Sequence, residues 1–487
     1  MNFSTVREFA IQLDSQDKLA SFREAFVIPD PSLVYFDGNS LGAMPKAAQE
    51  KSRQIVDEQW GVDLIRGWNK GWWDAPSRIG DKIGRIIGAA AGQTLVGDTV
   101  SLNLFKLATS ALTYQPNRTR IITDTFNFPS DLYILQGINN LLSPSPSGRG
   151  ARGEGAPSPS LEEGRGGGTP SPSLEEGRGG GTPSPSLEEG RGEGTPSPSL
   201  GEGRGGGSKY EIIRIGASDN DITPDLAALE AAINENTALV TLSHVVFKSG
   251  YMYDMQRITE LAHKKGALVL WDLSHSVGSA PVHLDDCNAD FAIGCTYKYL
   301  NGGPGAPAFL YVNKNIQEKL SSPIWGWWGQ NKPFDFDLDY TPAPGPQRFM
   351  VGTQPMISML TMEAALEPTL QAGMESLREK SILMTDYASF LTENWLVPFG
   401  FSLGSPVDSA MRGSHISIRH PEGYRINRAL IEEVNVIPDF RAPDNLRLGF
   451  APLYLSFADL WEGFDRIRRV MEEKRYEKYP KQKLAVT

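Results

Sequence analysis

Five short apolar runs, most of them closing on a polar or acidic residue, constrain this chain more than any other feature. They are residues 119–124 (TRIITD), 238–243 (ALVTLS), 267–272 (ALVLWD), 291–295 (FAIGC) and 308–312 (AFLYV). Runs this short and this uniformly apolar suit strands buried on both faces. Helical segments lie between them. Thr223-Pro224 supplies a cap and a first-turn proline ahead of Leu226, Leu229 and Ile233, and Asp254 caps a segment carrying Ile258, Leu261 and Ala262 that Gly266 ends. Strand and helix in alternation predict an α/β fold: a mostly parallel sheet with helices on both faces. Ligands of such sheets sit at the carboxyl ends of the strands.

From about residue 358 the pattern changes. A long helical stretch (358–394) precedes shorter apolar segments at 415–419 and 446–450 and a charged last helix. We therefore expect a smaller α+β domain over 351–487, a large domain over 46–350, and an N-terminal segment, 1–45, that packs with the small domain. One tract interrupts this plan. Residues 144–208 are five units of 13 residues, four of them opening Pro-Ser-Pro-Ser-Leu, and they hold 20 of the chain's 50 Gly and 10 of its 34 Pro. With at most one Leu and no aromatic per unit, stacked units would bury almost nothing, so the expectation is an exposed flexible loop without a part in catalysis.

The net charge of −11 and the lack of a basic run argue against nucleic acid as a partner. No apolar run is long enough to span a bilayer, and residues 1–10 carry Arg7 and Glu8 in place of a signal peptide's apolar core. Two cysteines, Cys287 and Cys295, in 487 residues fit a reducing compartment and no zinc pattern. The expectation is a cytoplasmic protein that binds neither metal nor membrane.

Chemistry concentrates after the third and fourth apolar runs. Asp272 ends ALVLWD, His275 follows, and Lys298 lies 26 residues beyond Asp272, ahead of the glycine-rich 301–305. That interval is about one strand–helix–strand step, which puts a carboxylate and a lysine at neighbouring strand ends facing one crevice. Pyridoxal phosphate needs this pair. The amine bonds to the aldehyde and later moves protons, while the carboxylate keeps the pyridine nitrogen protonated. Ser101, at the head of a helical segment, is a candidate for the phosphate. In 125–131 (TFNFPSD), Phe128 could stack on the ring and Asp131 could make a polar contact to it.

Together these motifs resemble the kynureninase family of fold-type I pyridoxal phosphate enzymes. The resemblance rests on 35–42 (YFDGNSLG), 128–131 (FPSD), 271–275 (WDLSH), 296–305 (TYKYLNGGPG), 326–329 (GWWG) and 447–454 (RLGFAPLY), and covers nearly everything outside the repeats. It implies that Lys298 bonds to the cofactor, Asp272 pairs with the ring nitrogen and Phe128 stacks on the ring, with Pro129, Ser130 and Asp131 alongside. It implies that Val100 and Ser101, where the family often has Leu-Thr, lie at the phosphate. Ser243, His275 and Tyr297 would also border the cofactor, and Trp327 and Thr353 would reach it from the second subunit of a homodimer. Arg447 would hold the substrate carboxylate, and Asn39, Trp68 and Trp72 would stand near the aryl ring. The implied activity is hydrolysis of L-kynurenine, and of its 3-hydroxy form, to anthranilate or 3-hydroxyanthranilate and L-alanine, in tryptophan degradation and NAD biosynthesis. Tyr297 would donate a proton, provided its phenol is made more acidic than usual.

Two readings compete. Another enzyme of the fold, a cysteine desulfurase or an aminotransferase, is one. A desulfurase would need a mobile cysteine downstream of the lysine, whereas both cysteines precede Lys298. A non-catalytic scaffold working through the repeats is the other, and retention of Lys298, Asp272 and Arg447 together opposes it.

Overall fold

The computed structural model describes residues 2–143 and 209–482. The repeat tract, and the expectation attached to it, lie outside the described residues. Seven strands form the main sheet: β1 (Thr94–Val96), β2 (Arg120–Asp124), β3 (Glu211–Ile215), β4 (Thr237–Ser243), β5 (Leu268–Asp272), β6 (Phe291–Gly294) and β7 (Phe309–Val312). Their order is β1-β7-β6-β5-β4-β2-β3. β7 runs antiparallel to both neighbours; the pairings among β2 to β6 are parallel. Every residue of β4, β5 and β6 is buried, which is why these strands are apolar on both faces.

Helices α1 (Val100–Tyr114) and α2 (Pro129–Leu142) begin just after β1 and β2. Helix α3 (Leu226–Ala232) corrects one expectation. Thr223-Pro224 does not open it; those residues pair antiparallel with Ala217–Asp219, and the Asp225 side chain caps the helix by accepting from Ala228 N at 2.9 Å. A proline is at home on such a short two-stranded edge, and the aspartate one residue later takes over the capping. Helix α4 (Met255–Lys264) is capped by Asp254 and followed by Gly266 at φ +74°, as the sequence predicts.

The stretch expected as one long helix is three: Met356–Ala365, Glu367–Ala372 and α5 (Met374–Leu391). Pro368 sits in the first turn of the second, and Gly373, at φ +74°, separates it from the third. Beyond α5 a four-stranded antiparallel sheet is formed by β8 (Ser402–Leu403), β9 (His415–Arg419), β10 (Asp439–Arg441) and β11 (Asn445–Gly449), in the order β8-β9-β11-β10. Helices α6 (Gly423–Val434) and α7 (Phe457–Glu472) pack with it.

The N-terminal residues join this second core. Leu13, Phe26 and Phe36 are buried with side chains from α5, α6 and α7, and Val34–Tyr35 pairs in parallel with Val436–Ile437. The Asp14 carboxylate accepts from Phe457 N and Ala458 N, at 2.6 and 3.0 Å, so it satisfies first-turn donors of α7 from 443 residues away.

Candidate active site

Parallel strands carry their last side chains to one edge of the sheet. Ser243 and Asp272 are direct partners in the β4–β5 register, and Asp272 pairs with Ile293 across β5–β6. Lys298, five residues past Ile293, returns to the same edge. Its Nζ lies 2.9 Å from His275 Nε2. Asp272 Oδ1 accepts from the backbone N–H and the hydroxyl of Ser274, at 2.8 and 2.6 Å. These residues border a cavity of about 500 Å³.

The cavity's electrostatics follow from burial. Burial, then the charges of Lys298 and Arg447, push the His275 imidazole well below its ordinary pKa, so it is neutral and accepts from the Lys298 ammonium. Burial raises the carboxyls of both Asp131 and Asp272; for Asp131 the negative charge of Asp272 adds to it, while Lys298 opposes the rise in both. Two buried carboxyls this close do not ionise independently.

One wall is the start of α1. Thr99 caps the helix, its hydroxyl 3.3 Å from Leu102 N, and Val100 and Ser101 occupy the first turn, where backbone N–H groups have no partner within the helix. Thr99, Val100 and Ser101 all line the cavity. Phe128, with Ser130 and Asp131 at the start of α2, forms another side. The Phe128 ring meets Phe247 edge to face, centroids 5.4 Å apart, and is 42% exposed, so its open area faces the cavity it lines.

Asn127 fixes this corner. Its Nδ2 donates to Thr123 Oγ1 (2.7 Å) and Thr241 O (3.1 Å), and its Oδ1 accepts from Ser243 N (2.6 Å). Beneath it, Asp124 is fully buried. Its Oδ1 accepts from Phe126 N and Asn127 N, and its Oδ2 accepts from the Tyr253 hydroxyl at 2.5 Å.

The far side comes from the small sheet. Arg447 on β11 is buried; its Nη1 donates to Phe247 O (2.8 Å) and its Nη2 to Ser40 Oγ (2.7 Å), and Nη2 forms an ion pair with Asp439 Oδ2 at 2.5 Å. The same Asp439 oxygen accepts from Arg441 Nε at 2.8 Å. A backbone bond from Gly42 N to Tyr297 O (2.8 Å) holds the N-terminal segment against the turn that carries Lys298.

Comparison with known proteins places this arrangement. Residues 377–467 match the family described as kynureninase C-terminal domain, and residues 208–394 match aminotransferase class-V. The kynureninase of Pseudomonas fluorescens is 36% identical over 475 residues, 96% of each chain. That of Burkholderia pseudomallei (strain 1106a) is 37% identical over 471 residues, 96% of this chain and 95% of its own. The chain belongs to the kynureninase family. Among solved structures, a cysteine desulfurase from Thermococcus onnurineus superposes with a TM-score of 0.68 at 15% identity, covering 93% of this chain and 98% of its own. The Escherichia coli cysteine desulfurase CsdA gives 0.67 at 14% identity, over 94% and 99% of the two chains. At such identities the likeness is one of fold alone, and it agrees with the fold-type I architecture expected from the sequence.

The kynureninase-family residues present fit pyridoxal phosphate. A primary amine and a buried carboxylate stand at neighbouring strand ends, an aromatic face lies open in the cavity, and unpaired first-turn donors of a 15-residue helix provide for an anion. Lys298, Asp272, His275, Tyr297, Ser243, Phe128, Ser130, Asp131, Val100, Ser101 and Arg447 are brought together as the sequence predicts. Others are not. Pro129 opens α2 outside the cavity lining. Asn39 is fully buried against Gly449, behind the cavity wall, and its neighbour Ser40 lines the cavity instead. Trp327 and Thr353 are exposed and lie outside this chain's own cavity. Trp68 packs with Trp73, Trp327 and Trp328, and Trp72 donates to Gln59 Oε1 at 2.8 Å.

Tyr297 departs from expectation in its acidity. The neighbouring Cys295 sulfur, then burial, raise its phenol above the ordinary value. Thr99, Ser274, Cys295, Phe247 and Arg441 also line the cavity without having been singled out by sequence. Thr99 carried a legible signal, since a threonine directly before a helical segment is a cap.

Proposed function

We propose that this chain hydrolyses L-kynurenine to anthranilate and L-alanine with pyridoxal phosphate, and that it accepts the 3-hydroxy substrate as well. The observation that carries the reading is Lys298 and Asp272 at adjacent strand ends with Arg447 on the facing wall of one cavity, in a chain of the kynureninase family. Bound pyridoxal phosphate supplies an electron sink for the carbanions formed when bonds to the amino acid's carbons break. Lys298 would hold the cofactor through its amine and would take the proton from the substrate's Cα. The neutral His275, 2.9 Å away, accepts a hydrogen bond from the lysine and holds it in place. Asp272 would pair with the ring nitrogen, with Asp131 beside it in the same cavity.

Arg447 would hold the substrate carboxylate with the donors that its internal bonds leave free. In the proposed hydrolysis the hydroxyl of a water would go to the γ-carbonyl carbon to give the aryl acid, the electron pair of the broken Cβ–Cγ bond would stay on Cβ, and a proton there would complete alanine. Tyr297, whose phenol is raised by the Cys295 sulfur and by burial, holds its proton and is not a base; the described residues do not supply the added acidity on which the expected donor role depends.

The same reading extends to assembly. Trp327 and Thr353 complete the cofactor site of a second copy in a homodimer. Supporting this are their outward placement and the exposed side chains of Trp325, Phe334, Phe336 and Leu338 around them. The chain is proposed to comprise a large domain (46–350, with the tract inside it) and a small one (351–487, joined by 1–45). It is proposed to work in the cytoplasm; among the described residues no helix is long and apolar enough to cross a membrane.

The test is direct. Purified protein supplied with pyridoxal phosphate should release anthranilate from L-kynurenine, followed by its fluorescence. Lys298→Ala should lose both the visible absorbance of the bound cofactor and turnover. No anthranilate from the coloured wild-type protein, or sulfide released from cysteine in its place, overturns the reading.

A further inference from the structure

Strand geometry brings two arginines to one end of the cavity. In the β10–β11 register Asp439 stands opposite Arg447, and Arg441 opposite Asn445. Side chains two apart on a strand share a face, and so do directly opposed residues on neighbouring strands. Asp439, Arg441 and Arg447 therefore project together, and both arginines line the cavity. A single oxygen, Asp439 Oδ2, meets both guanidinium groups: it accepts from Arg441 Nε at 2.8 Å and forms an ion pair with Arg447 Nη2 at 2.5 Å.

The two arginines are differently committed. Arg447 is almost wholly buried (side chain 2% exposed), and its two terminal nitrogens already serve Phe247 O, Ser40 Oγ and Asp439. Its Nε has no partner among the described residues. Arg441, with its side chain 37% exposed, spends Nε on Asp439, and its terminal N–H groups make no hydrogen bond among the described residues. Its charge reaches into the cavity, where it helps keep His275 neutral. Two guanidinium groups thus share one carboxylate. Asp37, another acid of the cluster, has its pKa pushed up to about 6 by burial and by Asp439.

We propose that Arg441 is a second substrate-carboxylate residue. Asp439 aims it into the cavity beside Arg447, and the two guanidinium groups grip the α-carboxylate of the amino-acid substrate between them. Asp439 is the positioning residue of the pair. The inference rests on the reading that this cavity takes an amino acid, and it assigns the donors that a committed Arg447 lacks. A planar carboxylate offers about four lone-pair sites, more than the donors Arg447 has left.

The experiment compares wild-type holoenzyme with Arg441→Met and Arg441→Lys. Arg441→Met should raise KM for L-kynurenine about tenfold or more, as expected for loss of hydrogen bonds to a charged group, with kcat falling less than KM rises. Inhibition by L-alanine, which keeps only the α-carboxylate and amine, should weaken in parallel. Arg441→Lys should recover part of both, and the melting temperature should not move, because the side chain is partly exposed. An unchanged KM overturns the proposal. So does weaker inhibition by anthranilate with alanine unaffected, since Arg441 would then face the aryl product. Calorimetric binding of L-alanine to the holoprotein provides a readout that needs no turnover. A wild type that makes no anthranilate refutes the proposed reaction, while equal alanine affinity in wild type and Arg441→Met refutes the arginine pair.

Discussion

Gly42→Ala perturbs the point at which the N-terminal segment meets the Lys298 turn. A Cβ at this position would lie 2.3 Å from Lys298 O, 2.3 Å from Asn301 Oδ1 and 2.8 Å from Asn301 Cα. A carbon–oxygen contact needs roughly 3.3 Å, so the segment must retreat by about 1 Å. That retreat strains or breaks the 2.8 Å bond from Gly42 N to Tyr297 O. Overpacking costs about 1–3 kcal/mol and a lost backbone bond about 0.5–1.5, so the expected destabilisation is about 2–4 kcal/mol. The consequence for function is larger. Ser40, two residues back, holds Arg447 Nη2 at 2.7 Å, and Lys298 sits on the displaced turn. A displacement of about 1 Å in a reacting group can cost about a hundredfold in rate. Urea unfolding of the holoenzyme and steady-state anthranilate release measure the two effects separately. If Gly42→Ala unfolds within about 0.5 kcal/mol of wild type and keeps kcat within twofold, the argument that this close approach positions the lysine is wrong.

Two further perturbations act on the corner below the cofactor cavity. Asn127→Ala removes three short hydrogen bonds that tie β2 to β4 and leaves the Ser243 N–H without its acceptor. A loss of about 2–4 kcal/mol in urea unfolding and weaker cofactor retention on dilution are expected, and a loss below about 1 kcal/mol would contradict it. Asp124, fully buried, has its pKa raised to about 6 chiefly by burial. A carboxyl that binds its proton more tightly folded than unfolded lowers stability as pH rises, here from about 4 to about 6, by at most about 3 kcal/mol. Asp124→Asn can still accept from Phe126 and Asn127 and donate to Tyr253. Its stability–pH curve should therefore be flatter than wild type over that window, and identical curves would refute the assignment.

The cofactor half of the site was legible because it is built from consecutive strand ends. Strands buried on both faces show as uniform apolar runs, and in a parallel sheet the residue after each run falls at the same edge. Spacing alone therefore placed Asp272 beside Lys298. Local rules failed where two signals competed within a few residues. Thr223-Pro224 and Asp225 both offer a helix start, and pairing with Ala217–Asp219 decided between them. Proton affinities were out of reach as well. The phenol of Tyr297 is set by a sulfur two residues away, and sequence does not say whether the two side chains face each other.

The substrate half was legible only through resemblance to a family, and the reason is topological. Ser40 meets Arg447 across 407 residues, and Arg447 meets the carbonyl of Phe247 across 200. No periodicity links such positions, since each element folds for its own reasons and the contacts arise when the N-terminal segment and the small sheet close over the main sheet's edge. Asp439 and Arg441 show how much is hidden. Their spacing of two on a strand looks like any half-exposed edge, and only the antiparallel register with Arg447 turns it into a paired cation site. It follows that substitutions at positions 40, 439 or 441 can weaken the grip on the α-carboxylate, which every amino acid carries, while leaving the lysine and aspartate motifs intact. Affinity for L-alanine should then change at these positions without loss of the bound cofactor's colour.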